Sequence, residues 1–521
     1  MAESCTYTGN GNTVTIADLG NITRDECLQL ALCGKDAWNL WRNDFQTRGG
    51  WGHPYKNAAD FSNQDFSLNH FDFCEFNFGD GANFSEALFH SVFFAGAQFG
   101  RDVSFAGTKF GDRSSFEGAK FGPSTSFRSS QFGDDCSFED CRIDSYSSFE
   151  YVKFGANLNF SASMIGDSAD FSWSAFGIRT SFVGAILLGE AYFDACSFGL
   201  ECDFSGLMVG NTISFEASVF KGSVSFKALS WIALRGQLGF VPRFEEHQKD
   251  AQKWLVDPWS FKRISYAGTR FEGGVDFSGR HFEDSAEFCK TLSEIVPHDW
   301  IVGDIPSDLR KEIVKTPSGN KVLPDGRSVV FSMPPEFFQC KLYQDTSFED
   351  ASFPLPTGSE SAARAYRALK LAFAQQQAVR EEQRFFKLEM QEEAVGEKSW
   401  RRWLYRAYQV TSDFGFSISR PLVLFALTTL VATLIYANQA GLTFDFSGSH
   451  TAALVQFSIA SAILGLEKLA EPAAIRLFGD LANGVANYNV WIVLTLLAHK
   501  AVSLLALFLI GLALRNLFKM K

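Results

Sequence analysis

The sequence predicts a mainly β protein, in which a solenoid of short repeats carries an N-terminal capping helix and is followed by a long α-helix and an α-helical transmembrane hairpin. Three observations predict this architecture. Phenylalanine is in large excess, with 55 Phe against 12 Tyr and 11 Trp in 521 residues. Large apolar residues, mostly phenylalanine, recur at a fixed interval from Phe99 to Trp231. Two long apolar segments lie near the C-terminus.

The repeated unit consists of one step of six residues and one step of five, because these two steps alternate between the large apolar positions. Phe99 to Trp231 covers 12 such units, and a constant interval of this kind is the sequence signature of a solenoid. Two positions before each large residue stands a small or β-branched one. Residues two apart on an extended segment share a face, so both positions are predicted to point inward.

Glycine often opens the six-residue step, as at Gly100, Gly111 and Gly122. The extra residue of this step is expected at a corner of the solenoid. We therefore predict a backbone conformation with positive φ at these glycines, since glycine adopts it at little cost.

The pattern resembles the pentapeptide-repeat family over Asp60 to Trp231, with phenylalanine at the central inward position and a small residue two positions earlier. The resemblance implies a right-handed four-sided β-helix with two of these units per turn. Six turns at the 4.8 Å strand spacing would give a segment of about 29 Å. Core phenylalanines separated by two units would stack on one side: Phe138, Phe160, Phe182 and Phe204.

The repeat is interrupted twice. The first interruption, Ile232 to Trp259, contains a predicted helix at Phe244–Leu255, and the repeat resumes at Tyr266. The second runs from Cys289 to Glu336. There, Asp325-Gly326 predicts a hairpin turn between strands at Lys321–Leu323 and Ser328–Phe331. A last turn is predicted through Phe337, Leu342, Phe348 and Phe353.

Helices are predicted on both sides of the repeats. Thr23 to Gln46 has apolar residues near helical spacing, and its segment Ala37–Arg42 resembles the helix that caps such solenoids. Ser359 to Ala394 has no glycine or proline and predicts one helix of roughly 50 Å. The segments Ala363–Met390 and Leu505–Phe518 resemble a group of bacterial membrane proteins that join pentapeptide repeats to a two-helix anchor.

The C-terminal region predicts a membrane hairpin. Pro421 to Ala437 is an uncharged run at the short limit for spanning a bilayer, and Val490 to Phe518 is apolar for most of its length but interrupted by His499-Lys500. Ala452 to Leu466 is apolar but too short to span, which predicts a re-entrant or interfacial helix. Lysines and arginines flank the outer ends of the two spans, so the positive-inside rule places both termini and the solenoid in the cytoplasm. The resemblance to the bacterial group implies the bacterial inner membrane as the location.

Charge and residue usage exclude several functions. Residues 58–231 hold 22 acidic and 10 basic residues, a net charge of −12 that equals the charge of the whole chain. Such an acidic solenoid is not expected to bind nucleic acid, which needs basic patches. The eight His form no ligand or triad pattern. We therefore predict no catalytic residues, no cofactor and no metal site.

The cysteine pairs are predicted to be packing residues. Cys136 and Cys141, and Cys196 and Cys202, are separated by five and six residues, which are the steps of the repeat itself. Each lies at the small inward position. Structural zinc sites usually have tighter local spacing and converging partners, so we expect reduced core thiols in a cytosolic domain.

Two functions remain open at this point. The first is an oligomeric pore or channel-like effector, lined in part by His499 and Lys500, because an ionisable residue in a membrane span indicates function. A span, a short helix and a second span resemble the pore unit of two-helix cation channels, although Ala452–Leu466 lacks a TVGYG-type filter. The alternative is a membrane-tethered scaffold that binds a protein partner on a solenoid face. Membrane lipid and further copies of the chain are the other expected partners.

The domain boundaries follow from these patterns. Five regions are predicted: 1–59, the capping-helix region; 60–231, the solenoid; 232–358, the interrupted solenoid with two insertions; 359–419, the long helix and juxtamembrane segment; and 420–521, the transmembrane hairpin with its short helix.

Overall fold

A computed structural model gives the fold of the chain. The structure describes residues 5–17, 22–48, 58–67, 71–239, 246, 249, 259–283, 286–288, 295–296, 314–315, 321–322, 329–342, 346–348, 350–398, 400–441, 449–463, 465–480, 485–486 and 488–519. It divides into two units. The first comprises Met1–Leu355 and Leu371–Gln376, and the second comprises Pro356–Lys370 and Gln377–Lys521.

The chain begins with an antiparallel hairpin that the sequence analysis did not predict, formed by β1 (Cys5–Gly9) and β2 (Asn12–Ile16). Two helices follow where one was predicted, namely α1 (Arg24–Leu32) and α2 (Lys35–Arg48). The single-helix prediction over Thr23–Gln46 is wrong because Gly34, with φ of +88°, ends α1 and redirects the chain.

Helix α2 caps the first turn of the solenoid. The indole of Trp38 is fully buried and packs on Phe61, Phe76 and Phe78, with ring centroids 5.5–5.7 Å apart. Its Nε1 donates a hydrogen bond to the carbonyl of Asn77 over 2.7 Å. The cap therefore covers the open end of the phenylalanine core and satisfies a backbone carbonyl there.

The solenoid is a stack of short parallel strands that form hydrogen-bonded ladders. Ladder A has ten strands: Asp65–Phe66, Leu88–Phe89, Lys109–Phe110, Gln131–Phe132, Lys153–Phe154, Ala175–Phe176, Ser197–Phe198, Val219–Phe220, Arg270–Phe271 and Val330–Phe331. Ladder B has seven: Asn77–Gly79, Gln98–Phe99, Lys120–Phe121, Arg142–Ile143, Met164–Ile165, Ile186–Leu187 and Met208–Val209.

The remaining parallel strands form shorter ladders. Ladder C has five: Ala169–Asp170, Ala191–Tyr192, Thr212–Ser214, Arg263–Ser265 and Ala286–Glu287. Ladder D has three: Cys202–Asp203, Val224–Ser225 and Val275–Asp276. Two further parallel pairs join Phe71–Asp72 to Val92–Phe93, and Ser260–Phe261 to His281–Phe282. This parallel β-solenoid is the predicted fold class, while its four-sided section and its handedness stay predictions.

The register of the core follows the predicted interval. Gln131 pairs with Lys153 and Phe132 with Phe154, so each residue lies beside the one that follows it by two repeat units. The rings of Phe138 and Phe160 stack 4.5 Å apart, those of Phe160 and Phe182 5.0 Å apart, and Phe204 continues the column. Each side chain thus buries its ring face against an identical ring in the next turn, in a nearly parallel stack.

The corner glycines have a different role from the one predicted. Gly111 and Gly122 lack positive φ, and the left-handed residues stand two positions later, at Arg113 (φ 60°) and Ser124 (φ 63°). A Cβ at Gly111 would lie 1.6 Å from the carbonyl oxygen of His90 in the preceding turn. The positive-φ prediction is therefore wrong, and glycine is required because neighbouring turns touch through their backbones.

The first interruption begins before the predicted end of the repeat. Trp231 was predicted as a core position, but it is the first residue of α3 (Trp231–Leu238), and the core column passes from Phe226 to Phe277. Helix α3 covers an apolar patch on the outside of the solenoid, where Leu234 packs with Met164, Ile186 and Met208. The predicted helix at Phe244–Leu255 lies almost entirely outside the described residues.

The second interruption differs from the predicted hairpin. Lys321–Val322 pairs antiparallel with Val314–Lys315 and with Ile295–Val296, whereas Val330–Phe331 joins ladder A in parallel with Arg270–Phe271. The prediction that Lys321–Leu323 pairs with Ser328–Phe331 is therefore wrong. Phe331 has the core spacing and stacks on Phe271, so burial in the solenoid outweighs the local turn signal.

Two helices occupy the region predicted as one long helix. They are α4 (Glu360–Gln375) and α5 (Val379–Gly396), joined through Gln377 in the left-handed conformation with φ of 59°. In the second unit, Glu389 of α5 is buried and accepts hydrogen bonds from Arg367 and Lys370 of α4 at 2.6 and 2.5 Å. These ion pairs join the two helices side by side, which a single straight helix would prevent.

The described residues of the second unit form five more helices: α6 (Arg401–Ser412), α7 (Ser419–Gln439), α8 (Ser449–Ala462), α9 (Glu467–Phe478) and α10 (Val490–Lys519). A two-stranded antiparallel pair, Gly479–Asp480 and Val485–Ala486, follows α9. Helix α8 overlaps the predicted short apolar segment, and α9 was not predicted.

Candidate functional site

The candidate site lies among the C-terminal helices, where charged side chains stand next to two long apolar helices. Helices α7 and α10 are long and apolar enough to cross a membrane, by length and composition. Only 22% and 28% of their most apolar windows are buried inside the protein. The core helix of a soluble protein would be mostly buried, so these two helices could span a membrane.

Helix α8 packs against both apolar helices and against α9. Ala453, Leu454 and Phe457 of α8 are buried with Tyr436 of α7 and Ala470 of α9 in one apolar cluster. The small alanines let the helices approach closely, which is the usual packing in membranes. Gly465, with φ of +92°, stands between α8 and α9.

His499 lies buried between the two apolar helices. Its Nδ1 is 3.4 Å from the Tyr436 hydroxyl, and its Nε2 is 3.4 Å from the Thr429 hydroxyl, both on α7. A hollow of about 310 Å³ beside it is lined mainly by apolar groups such as Leu427 and Val502. Within one subunit, His499 therefore links α7 to α10, and a pore-lining role for it stays a prediction.

Lys500 has a charged partner in the same chain. Its Nζ lies 2.5 Å from Oε1 of Glu467, the first residue of α9. The two side chains share the wall of a cavity of about 480 Å³ with Lys468, Glu471 and Phe457. The lysine is 30% exposed and the glutamate 59% exposed, so the pair opens onto this cavity rather than lying in a closed core.

Glu467 is the residue that sequence reasoning missed. It precedes Lys468 at the end of an apolar run and lies far before Lys500 in the chain, so no local spacing connects the two. An acidic residue at the edge of an apolar segment, with an unexplained lysine in the next one, is the signal that would have found it.

The structure also locates the predicted core thiols. Cys136, Cys141, Cys196 and Cys202 are buried and free of disulfides, and the Cys141 thiol donates to the Phe116 carbonyl over 2.8 Å. Burial raises the pKa of Cys136 and of Cys202 to about 12, so both stay protonated. In the described parts of the chain, no three His, Cys, Asp or Glu side chains are arranged to hold a metal ion.

The comparisons agree with the geometry of the solenoid. The family model described as pentapeptide repeats (9 copies) matches residues 105–153, which lie within ladders A and B. No curated protein and no solved structure matches the chain. Residues 105–153 of the solenoid therefore carry the repeats of the pentapeptide-repeat family.

Proposed function

We propose that this protein is a membrane effector whose C-terminal helices assemble into an oligomeric pore, with the solenoid as its cytoplasmic part. The observation that carries the proposal is the Lys500–Glu467 pair on the wall of a charged cavity beside two apolar helices. A lysine at the centre of a bilayer costs about 2.5–3.5 kcal/mol on insertion scales. An ion pair with Glu467 and a water-accessible cavity would lower that cost for Lys500. A charged residue inside an apolar helix usually has a function.

The distribution of basic residues supports one orientation. Arg401, Arg402 and Arg406 precede α7, and Arg515 and Lys519 lie at the end of α10. Under the positive-inside rule both ends of the hairpin face the cytoplasm. Reporter fusions after Lys521 and at Gly441 should therefore report opposite sides of the membrane, and equal reports would contradict the hairpin.

Ion conductance in liposomes tests the pore. In Lys500→Glu, two carboxylates would face the cavity, so ion preference should shift towards cations. In Glu467→Gln, Lys500 would lose its partner, so preference should shift towards anions. Exchanging both charges, with Lys500→Glu and Glu467→Lys together, should restore the wild-type preference.

The matched control is Lys221→Glu, which makes the same charge change at an exposed position of the solenoid. It should leave both conductance and ion preference unchanged. If wild-type protein is monomeric at all concentrations in detergent, or if both cavity variants conduct as wild type does, the pore proposal fails.

A second candidate function is a membrane-tethered scaffold. One observation favours it: within a single subunit, His499 is enclosed by Tyr436 and Thr429, and Lys500 is paired with Glu467. A simple membrane anchor needs only that its polar side chains find partners within the same chain. Stable membrane insertion without conductance would support this alternative, in which a solenoid face binds a protein partner.

A further inference from the structure

Helix α6 has an apolar face that the rest of the described chain leaves uncovered. Trp400, immediately before the helix, and Trp403, Leu404, Ala407 and Val410 within it are exposed. At 3.6 residues per turn they fall within an arc of about 120°. Trp403 is 73% exposed and Val410 70% exposed, values unusual for large apolar side chains arranged on one face.

The opposite face of α6 holds the helix to its own unit. Tyr405 donates a hydrogen bond from its hydroxyl to Glu393 of α5 over 2.9 Å, and Arg402 donates to the carbonyl of Glu397. Arg420 of α7 donates to the carbonyl of Gln409 over 2.7 Å. These hydrogen bonds hold α6 in one orientation, so its uncovered apolar face always points the same way relative to α5 and α7.

Arginines border the apolar face on both sides. Arg401 precedes Trp403 on one side of the arc, and Arg406 lies on the other, both exposed. Lys398 is exposed just before the helix, and α6 itself contains no acidic residue. An apolar face with tryptophan and a basic border is the composition of helices that lie in a membrane surface.

The turn after α6 places the helix at the ends of both apolar helices. Asp413, Phe414 and Gly415 all have positive φ, so α6 does not continue into α7. The Asn516 side chain near the end of α10 donates to the carbonyl of Gly415 over 3.0 Å. The first residues of α7 and the last turn of α10 thus meet beside α6, at the level where the apolar segments give way to Arg420 and Arg515.

From these four observations we infer that α6 lies in the membrane surface and binds the headgroups of anionic lipids. The inference rests on the membrane attachment in the proposed function and adds to it a lipid-binding surface. Trp400, Trp403 and Leu404 would enter the acyl boundary, while Arg401 and Arg406 would contact lipid phosphates. Each basic residue near an anionic surface strengthens docking by about 1 kcal/mol, or roughly fivefold.

Tryptophan quenching in vesicles tests the inference with the full chain. The protein is reconstituted into phosphatidylcholine brominated near the headgroup end of its acyl chains, with or without phosphatidylglycerol. The difference between wild type and Trp403→Phe isolates the emission of Trp403. We expect this emission to be quenched, and quenched more strongly with phosphatidylglycerol present.

Two further tryptophan variants serve as controls, one for an unquenched and one for a quenched tryptophan. Trp259→Phe removes an exposed tryptophan of the solenoid and should remove unquenched emission, whereas Trp491→Phe removes an exposed tryptophan of α10 and should remove quenched emission. Quenching of Trp491 without quenching of Trp403 would overturn the inference and leave membrane attachment intact. If neither is quenched, the inference and the membrane attachment fail together.

The arginines are tested separately. Replacing both Arg401 and Arg406 by Gln should weaken the docking of α6 on anionic vesicles. The ratio of docked to undocked α6, read from the quenching of Trp403, should fall by roughly fivefold for each residue, and the preference for phosphatidylglycerol should be lost. The control removes two exposed arginines of the same unit, Arg364 and Arg380, in the same way and should keep that preference. An unchanged preference in the Arg401 and Arg406 double variant would overturn the assignment of anionic lipid.

Discussion

The rings of Phe138 and Phe160 are nearly parallel, with an interplanar angle of 2° and centroids 4.5 Å apart, although two repeat units separate them in the chain. Phe160 is completely buried and stacks on Phe182 from its other side. Phe160→Ala would leave a cavity between two turns, so we expect a loss of about 3–5 kcal/mol in the free energy of unfolding.

Chemical denaturation of the full chain in detergent, followed by circular dichroism, measures this loss. The matched control is Phe93→Ala, because Phe93 occupies the outward position of its strand and is 39% exposed. The control should cost less than about 1.5 kcal/mol. Equal losses for the two variants would contradict the inward role of Phe160.

The corner glycines should be intolerant of any side chain, whereas the left-handed residues two positions later should accept glycine. Gly111→Ala would drive a methyl group into the carbonyl of His90, so we expect at least about 1–3 kcal/mol of destabilisation. Arg113→Gly would relieve the positive φ at Arg113 but increase the freedom of the unfolded chain, so its effect should stay within about 1 kcal/mol. Thermal unfolding of both variants compares them, and a tolerated Gly111→Ala would contradict the backbone contact.

The solenoid should lose stability as pH rises through the range in which Asp194 ionises. Burial raises the pKa of Asp194 to about 7, opposed by hydrogen bonds from the Ser214 hydroxyl and the Glu216 amide. In the unfolded chain the same carboxyl ionises near pH 4. Between these values the folded state binds more protons than the unfolded one, so the free energy of unfolding falls as pH rises from about 4 to about 7.

Asp194→Asn should remove that part of the pH dependence, which amounts to at most about 4 kcal/mol. The unfolding midpoint, measured from pH 4 to pH 8, should therefore vary less in this variant than in the wild type. Asp102→Asn changes an exposed carboxyl at a turn of the same solenoid and should retain the wild-type profile. Identical profiles for Asp194→Asn and wild type would contradict the assignment.

Two glutamates with ion pairs of similar length should differ greatly in their contribution to stability. Glu389 is 3% exposed and lies 2.6 Å from Arg367 and 2.5 Å from Lys370, whereas Glu360 is 81% exposed and lies 2.5 Å from Arg364. Glu389→Gln would remove the carboxylate that Arg367 and Lys370 share, and we expect about 1–3 kcal/mol of destabilisation, because both cations are partly exposed and Arg367 keeps its ion pair with Glu393. Glu360→Gln should cost less than about 0.5 kcal/mol. Denaturant titration of both variants distinguishes them, and comparable effects would contradict the role of burial.

The solenoid could be predicted from sequence because the same step along the chain separates each residue from its neighbour in the next turn. Once Phe138 and Phe160 are assigned to the same column, every further neighbour follows by the same step of two repeat units. The reason for the corner glycines could not be predicted, because it depends on the distance from Gly111 to His90 in the preceding turn. A pattern identifies which position is constrained, but not which atom constrains it.

The helices were predicted less well because the local sequence does not show which residues of other helices they contact. Nothing near Gln377 marks a break, and α4 and α5 separate because Glu389 finds Arg367 and Lys370 across the hairpin. Half of the candidate site could not be predicted for the same reason. Lys500 was identified from its apolar surroundings, whereas Glu467 belongs to another helix, and only the fold brings its carboxylate to Lys500 of α10.

The contact between backbones at the corners has a mechanical consequence. Gly133, Gly155, Gly177 and Gly199 form a column in which a Cβ on each later glycine would lie 2.1–2.6 Å from the peptide group of the glycine before it. Neighbouring main chains leave no space for a side chain there, so main chain rather than side chains fixes the rise per turn. Residues on the outside can therefore change without altering the pitch. Inserting or deleting one complete turn should lengthen or shorten the solenoid by a constant increment of about 4.8 Å, which makes this region a gauge of fixed length.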